Sequence, residues 1–153
     1  MKDEKNRLTG LVYEQDGKQN TVEGDLVISS MPVKDLVAGM NDVPEQYAAI
    51  AQGLPYRDYM TVGVLVPKLK LKNETKIKTM GNIVPDNWVY VHDRNVQMGR
   101  FQIYNNWSPY MVSQTEKHVW IGLEYFCNEG DAMWSITDEE FAQMAMQEMV
   151  TMG

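Results

Sequence analysis

The sequence is poor in the residues that build disulfides, metal sites and nucleophilic active sites. Its 153 residues include one cysteine, Cys127, and two histidines, His92 and His118. A lone cysteine excludes an internal disulfide and suits a reducing compartment, so we expect a cytoplasmic protein. The two histidines stand in separate segments without the spacing of metal ligands, and no metal site is predicted.

Long apolar runs and an excess of positive charge are also missing. The longest apolar run, residues 59–66, includes Thr61 and is far shorter than the roughly 20 residues of a membrane-spanning helix. The charged start, MKDEKNR, does not read as a signal peptide. With 14 basic and 21 acidic residues and a net charge of -7, the composition argues against nucleic acid or an anionic membrane surface as a partner.

Motifs for nucleotide binding and for covalent catalysis are absent as well. The sequence has neither G-x-G-x-x-G, which places a pyrophosphate at a helix N-terminus, nor the nucleophile motif G-x-S-x-G. Cys127 follows two aromatic residues on a predicted strand, a setting typical of an inert buried thiol. No catalytic residue is predicted.

What is present begins with a strand, a polar corner and a helix start in residues 24–40. After the turn residues Gly24 and Asp25, residues 26–28 form a short apolar run that predicts a strand buried on both faces. A polar corner follows, and its residues are Ser29, Ser30, Met31 and Pro32. Pro32 suits the first turn of a helix. In α/β proteins such a corner is where a ligand lies.

The remaining pattern predicts an α+β fold with a mainly antiparallel sheet. Asp16-Gly17 marks a hairpin between residues 7–15 and 19–23, and residues 44–52 read as a short helix ended by Gly53. Alternating strands are then predicted at residues 54–67, 88–92, 100–104 and 119–127. Thr137 and Glu140 form a capping box that starts a C-terminal helix, which we expect to pack on the sheet.

Three charged residues on the predicted strands are candidates for a binding site. Arg57 and Arg100 open strands, and Glu124 lies inside one, on the face with Trp120 and Phe126. A carboxylate at the centre of a strand must be paired, solvated or placed over a cavity. Either these residues form a structural ion pair or an exposed sheet face, or they line a cavity in which an arginine holds an anionic substrate.

A second candidate is the loop Asn105-Asn106-Trp107, which is dense in amide and aromatic groups. Such loops bind sugars or flat rings, because the aromatic ring stacks while the amides orient the ligand. The alternative is a turn with its tryptophan pinned into the core. Both interpretations stay open.

The segment GDLVISSMP, residues 24–32, resembles the G-D-x-V-I-S-(S/T)-x-P segment of flavin-dependent oxidoreductases of the amine oxidase and protoporphyrinogen oxidase type. UDP-galactopyranose mutase belongs to the same broad group. Two later stretches, LPYRDYMTVGV at 54–64 and the residues from Gly99 to Asp131 that include NNWSPYMV and GLEYFCNEGD, look like a bacterial subgroup of it. The resemblance covers residues 7–152.

The resemblance implies a fragment of a longer flavoenzyme. Residues 1–53 would be the C-terminal portion of an FAD-binding domain, a hairpin and a strand–helix piece, and residues 54–153 a substrate-binding sheet domain that ends at the C-terminal helix. The corner at Ser29, Ser30, Met31 and Pro32 would contact FAD. Substrate would contact the following residues: Arg57, Tyr59, Arg100, Asn105, Asn106, Trp107 and Glu124.

Because G-x-G-x-x-G is missing, we expect this chain to be inactive alone and not to retain FAD, whether its parent is an oxidoreductase or a mutase. Its expected partners are the missing N-terminal FAD-binding portion and a small-molecule substrate, and a second copy docked on the exposed sheet face is a further candidate. The alternative is a self-contained α+β ligand-binding module without a cofactor. That alternative gains if the hairpin packs as an edge of the main sheet.

Overall fold

The chain divides into two units in the computed structural model, which describes residues 1–5 and 7–153. The first unit is Met1–Pro55 and the second is Tyr56–Gly153. The assignment of residues 1–53 and 54–153 to two domains of a longer enzyme stays a prediction. Each unit is described by itself below.

The first unit contains a hairpin and two short helices. The elements are β1 (Gly10–Gln15), β2 (Lys18–Glu23), α1 (Val33–Ala38) and α2 (Glu45–Gln52). Asp16 and Gly17 connect the strands with φ values of 53° and 71°, the left-handed conformation that a two-residue hairpin turn needs. Pro32 and Pro44 precede the two helices, and Gly39 and Gly53 end them, as the sequence predicted for Pro32 and Gly53.

The predicted buried strand at residues 26–28 is not formed. Residues 24–31 belong to no helix or strand, and Leu26 and Ile28 are 80% and 88% exposed. β1 and β2 pair with each other, and this segment joins neither of the two free edges of their hairpin. It therefore lacks the hydrogen-bonded neighbour that a strand needs. Leu26 and Ile28 are left in water, and Val27 is partly buried.

The second unit is built on a four-stranded sheet in the order β3-β6-β5-β4, with every neighbouring pair antiparallel. The elements are β3 (Asp58–Val66), β4 (Trp88–Tyr90), β5 (Arg100–Ile103), α3 (Tyr104–Trp107), β6 (Val119–Cys127) and α4 (Asp138–Met152). The predicted fold class is confirmed: the protein is α+β with antiparallel sheets. The predicted loop at residues 105–107 is instead a turn of helix.

The alternating side chains of β6 distinguish the core face of this sheet from the opposite face. Its odd-numbered side chains are buried, and Leu123 and Tyr125 are almost completely covered. α4 covers that side with Phe141 and Ala145, and the Tyr125 and Phe141 rings meet edge to face with centroids 4.9 Å apart. The alternation of β6 in the sequence therefore marks the core correctly, because successive strand residues point to opposite faces.

The capping box at the start of α4 is also confirmed. The Thr137 hydroxyl accepts a hydrogen bond from the Glu140 backbone N–H, and the Glu140 carboxylate accepts one from the Thr137 N–H, both at 3.2 Å. Together they satisfy two backbone donors that a helix start leaves free. This fixes where α4 begins and so which of its residues meet the sheet.

Candidate functional site: the open face of the sheet

The side of the four-stranded sheet opposite α4 is called the open face here. Paired residues of antiparallel strands point to the same side, so the strand register defines its members. They are Tyr59, Thr61, Gly63 and Leu65 on β3, Trp120, Gly122, Glu124 and Phe126 on β6, Arg100 and Gln102 on β5, and Trp88 and Tyr90 on β4. Its aromatic side chains are exposed, as we expected for this face.

Arg100 and Glu124 form an ion pair at the centre of the open face. They are directly paired in the register of β5 and β6. The Arg100 Nε–H donates to Glu124 Oε2, and the Gln102 amide donates to Glu124 Oε1. Glu124 is only 1% exposed, so both carboxylate oxygens are satisfied inside the protein. The structural ion pair predicted as one alternative is therefore present.

Aromatic rings surround the Arg100 guanidinium. Its Cζ lies 4.5 Å from the centroid of the Trp88 ring, 4.8 Å from that of Phe126 and 5.9 Å from that of Tyr59. These distances allow attraction between the cation and the ring faces. Burial disfavours the charge, but the hydrogen bond and the charge of Glu124 outweigh it and raise the pKa of Arg100 above its ordinary value. Arg100 is thus a fixed cation.

Two glycines let aromatic rings lie against the strands of this face. A Cβ at Gly122 would approach ring carbons of Tyr104 to 2.8 Å, and one at Gly63 would approach the Trp120 ring to 3.3 Å. Burial and the nearby Glu124 charge raise the pKa of the Tyr104 hydroxyl, so Tyr104 stays neutral beside the carboxylate. The face is therefore a platform of rings around one ion pair.

The amides of Asn105 and Asn106 are used inside the protein. Asn105 is buried; its amide donates to the His118 carbonyl at 2.9 Å and accepts from the Trp120 N–H at 3.0 Å. Asn106 donates to the carbonyls of Val84 at 2.7 Å and Asp86 at 3.0 Å. These bonds assign both amides a structural role. Contact of either residue with substrate stays a prediction.

Trp107 extends the open face at its β4 edge. Its ring meets that of Trp88 edge to face, with centroids 6.4 Å apart, and it is half exposed. The structure thus brings together four of the seven predicted substrate residues in one cluster, Tyr59, Arg100, Glu124 and, through Trp88, Trp107. A tryptophan pinned into the core, the alternative for this segment, is not observed.

Arg57 lies apart from this cluster, next to the end of β6. It is exposed, and its charge helps to lower the pKa of Asp131, although backbone hydrogen bonds from Asn128 and Trp134 do more. Burial raises the pKa of the nearby Cys127 thiol, which keeps it protonated and unreactive. Arg57 is therefore part of a surface charge group, and its contact with substrate stays a prediction.

The predicted FAD corner lies in the first unit and is open to water. Ser29, Ser30, Met31 and Pro32 are all exposed, and the Met31 N–H donates to the Ser29 hydroxyl at 3.2 Å. A groove of about 250 Å³ lies beside the corner, but residues 10, 11, 22–24 and 26–28 line it and none of the four corner residues does. Their contact with FAD stays a prediction.

Sequence reasoning missed three residues that shape the site. The Trp88 ring lies against the Arg100 guanidinium, and the Gln102 amide donates a hydrogen bond to Glu124. The Tyr104 ring packs over Gly122. The alternation of residues 88–92 and 100–104 was visible in the sequence, but the register that pairs Trp88 with Gln102 depends on the turn between the strands. Sequence alone did not supply that register.

A buried carboxylate on the core side was also missed. Glu148 of α4 accepts hydrogen bonds from the backbone N–H groups of Gln97 and Met98, at 2.7 and 3.1 Å. Burial raises the pKa of the neighbouring Tyr125 hydroxyl well above its usual range, and Glu148 adds to the rise. That hydroxyl has no hydrogen-bond partner among the described residues. The arrangement is structural, because α4 covers it.

Residues 1–5 and 7–153 contain neither a metal-binding cluster nor a membrane-spanning helix. There, no three acidic, histidine or cysteine side chains come together as a metal site would require. In the same residues, no helix has both the length and the apolar character to cross a membrane.

Comparison with known proteins gives a distant likeness in structure only. No family model matches the chain, and no curated protein matches it. Among solved structures, that of a reduced UDP-galactopyranose mutase is similar, with a TM-score of 0.48 and 16% identity over 88% of this chain. The match covers 26% of the mutase chain, so this chain spans about a quarter of its length. Similarity to amine oxidases and protoporphyrinogen oxidases rests on the sequence segments alone.

Proposed function

We propose that this chain is part of an FAD-dependent oxidoreductase or mutase, similar to UDP-galactopyranose mutase or the amine oxidases. The second unit would be its substrate-binding sheet domain, and the first unit would be a piece of its FAD-binding domain. The segment resemblance at residues 24–32, 54–64 and 99–131 supports the family. The open face supports the role of the second unit.

The observation that carries the proposal is the fixed Arg100 among exposed rings. Glu124 accepts from the Nε–H, one of five guanidinium donors, and Tyr90 also interacts with the guanidinium. The remaining donors of the fork suit an anionic group of a ligand. The surrounding Trp88, Phe126 and Tyr59 rings offer apolar surface on which a flat or sugar ring can stack. An exposed aromatic patch of this kind marks an absent partner or ligand.

The residues of this chain do not by themselves form an FAD site. The corner at residues 29–32 is exposed, the helix that follows has six residues, and the pyrophosphate motif is absent. At most, the corner supplies one edge of a site completed by another segment. FAD would carry electrons in the complete enzyme, while the residues described here bind and orient substrate. The chain alone is therefore expected to be inactive.

The partner that completes the site is proposed to be an FAD-binding portion carrying G-x-G-x-x-G. The apolar run at residues 26–28, in which Leu26 and Ile28 are exposed, is suited to insertion between strands of such a portion. As a strand it would point Leu26 and Ile28 to one face and Val27 to the other, and a strand buried on both faces needs apolar side chains on both. The open face would then look toward the flavin. A second copy of this chain on the open face is the other proposed cover.

The alternative of a self-contained binding module has less support. It would gain from a hairpin packed as an edge of the main sheet, whereas β1 and β2 form a two-stranded sheet of their own. An isolated two-stranded hairpin is marginally stable at best in water. This arrangement is in better agreement with a unit that other segments complete.

The proposal is tested by flavin content and flavin fluorescence. We expect the purified chain to be colourless, and the product of the complete reading frame around it to be yellow with bound flavin. In that complete protein, Trp88→Leu and Trp107→Leu should brighten flavin fluorescence, because they remove rings that face the flavin and quench it. Trp134→Leu is the matched control, since Trp134 is equally exposed but lies outside the open face.

Two outcomes would contradict the proposal. A complete protein without flavin would remove the assignment to flavoenzymes, and a chain that is yellow with stoichiometric flavin by itself would remove the fragment interpretation. If all three tryptophan variants behave alike, the open face does not look toward the flavin.

A further inference from the structure

A loop rich in lysine leaves β3 and differs in charge from the rest of the protein. We name residues 67–79 the lysine loop. It contains five of the 14 basic residues and one of the 21 acidic ones. The lysines are Lys68, Lys70, Lys72, Lys76 and Lys78, and all are exposed. A local basic surface therefore exists on a protein whose net charge is -7.

Large apolar side chains stand between these lysines and are also exposed. Leu71 and Ile77 are 67% and 61% exposed, whereas Leu69 packs against the core of the second unit. Leu69 thus anchors the loop, and the two exposed apolar residues alternate in sequence with the lysines. Their side chains lie largely in water.

Hydrogen bonds order the tip of the lysine loop. The Asn73 side chain accepts from the Thr75 N–H at 3.0 Å and donates to the Ile77 carbonyl at 2.8 Å. The Thr75 hydroxyl in turn accepts from the Ile77 N–H at 3.1 Å. The backbone of Ile77 is consequently held in a defined turn, so less conformational entropy is lost when this part of the loop binds a surface.

The composition of the whole chain argues against an anionic membrane as a partner, but residues 67–79 are locally basic, and we propose that this lysine loop docks the protein on an anionic membrane surface. The lysines contact lipid headgroups, and Leu71 and Ile77 enter the boundary between headgroups and acyl chains. Charge complementarity supplies the attraction, and the two apolar residues distinguish a membrane from nucleic acid, which would leave them in water. Acidic residues elsewhere oppose docking weakly, because the Debye length at physiological salt is about 8 Å.

The test is sedimentation of the full chain with lipid vesicles. We expect binding to vesicles of phosphatidylcholine mixed with phosphatidylglycerol and none to phosphatidylcholine alone. Each lysine near an anionic surface is worth roughly fivefold in partitioning, from about 1 kcal/mol, so Lys70→Gln with Lys72→Gln should lower binding about 30-fold. The matched control is Lys18→Gln with Lys117→Gln, which changes the charge equally at exposed positions outside the loop and should have little effect.

A second pair of variants separates a membrane from other anionic partners. Leu71→Ser with Ile77→Ser keeps every lysine and should also weaken vesicle binding several-fold, most visibly at high salt. All variants should melt within a degree or two of the parent, because the changed side chains are exposed.

Three results would overturn the proposal. The first is absence of binding to the anionic vesicles. The second is an equal loss in the control pair, which would mean a general charge effect. The third is unchanged vesicle binding in the serine pair, which would favour an anionic polymer or an acidic protein surface as the partner of the lysines.

Discussion

At the scale of single residues, the pair of Arg100 and Glu124 limits what mutations can reveal about binding. Glu124 is buried, and its two oxygens depend on Arg100 and Gln102. Removing one partner of a buried pair leaves an uncompensated charge, which costs more than the pair itself contributes. In an Arg100 variant, weaker ligand binding could therefore not be separated from lower stability of the fold.

We expect Arg100→Ala to lower the free energy of unfolding by about 3–5 kcal/mol, measured by urea denaturation. Arg94→Ala, at an exposed arginine, is the control and should change it by less than about 0.5 kcal/mol. The double variant Arg100→Met with Glu124→Leu should recover much of the loss, because no charge is then left buried. If Arg100→Ala has the same free energy of unfolding as the parent, Glu124 is solvated and the ion pair contributes little to stability.

The sequence predicted these residues only in part, and the reason is physical. Glu124 at a strand centre had to be paired or solvated, so its partner was restricted to a few cations, and Arg100 was among the candidates. The roles of Asn105 and Asn106 were not accessible in this way. Their amides bind backbone groups of Val84, Asp86, His118 and Trp120, and such partners are set by tertiary structure rather than by local pattern.

At the scale of elements, strong local signals were reliable and context-dependent ones were not. β6 and α4 follow from strict alternation and from a capping box, both of which are read within a few residues. The apolar run at residues 26–28 carried an equally clear signal for a strand, but a strand also needs a neighbour. In the described first unit the segment pairs with neither β1 nor β2, so the local preference is not realised.

α4 does more than cover the sheet, because Glu148 holds the loop before β5. We expect Glu148→Ala to lower the free energy of unfolding by about 1–3 kcal/mol, since the backbone N–H groups of Gln97 and Met98 lose their acceptors. Hydrogen exchange at these two amides should accelerate. Gln147→Ala, at the exposed neighbouring position, should change neither quantity. Unchanged exchange in the Glu148 variant would show that water replaces the carboxylate.

At the scale of the whole molecule, exposed apolar surface occurs in both units and indicates that each binds a partner. In the first unit it is the segment with Leu26 and Ile28, and in the second it is the open face. Native monomers rarely leave contiguous apolar surface in water without a role. The proposed FAD-binding portion would cover the first of these surfaces.

We expect Leu26→Ser with Ile28→Ser to leave the melting temperature of this chain unchanged, since both side chains are already in water. In the complete protein the same change should lower flavin retention and thermal stability, because the segment would then be buried on both faces. The control is Ile50→Ser, at an exposed apolar residue of α2. Equal behaviour of the variant and the control in the complete protein would show that residues 26–28 insert nowhere.

The strand order β3-β6-β5-β4 has a consequence for how the second unit is made. β6 is the last of the described strands in sequence but lies between β3 and β5, so Asp58, at the start of β3, pairs with Cys127, at the end of β6. During synthesis β3 therefore has no strand to pair with until residues 119–127 leave the ribosome. Such non-local pairing folds slowly and leaves strand edges open to aggregation. The rate at which translation delivers the β6 segment is therefore expected to affect how much of the second unit folds before it aggregates.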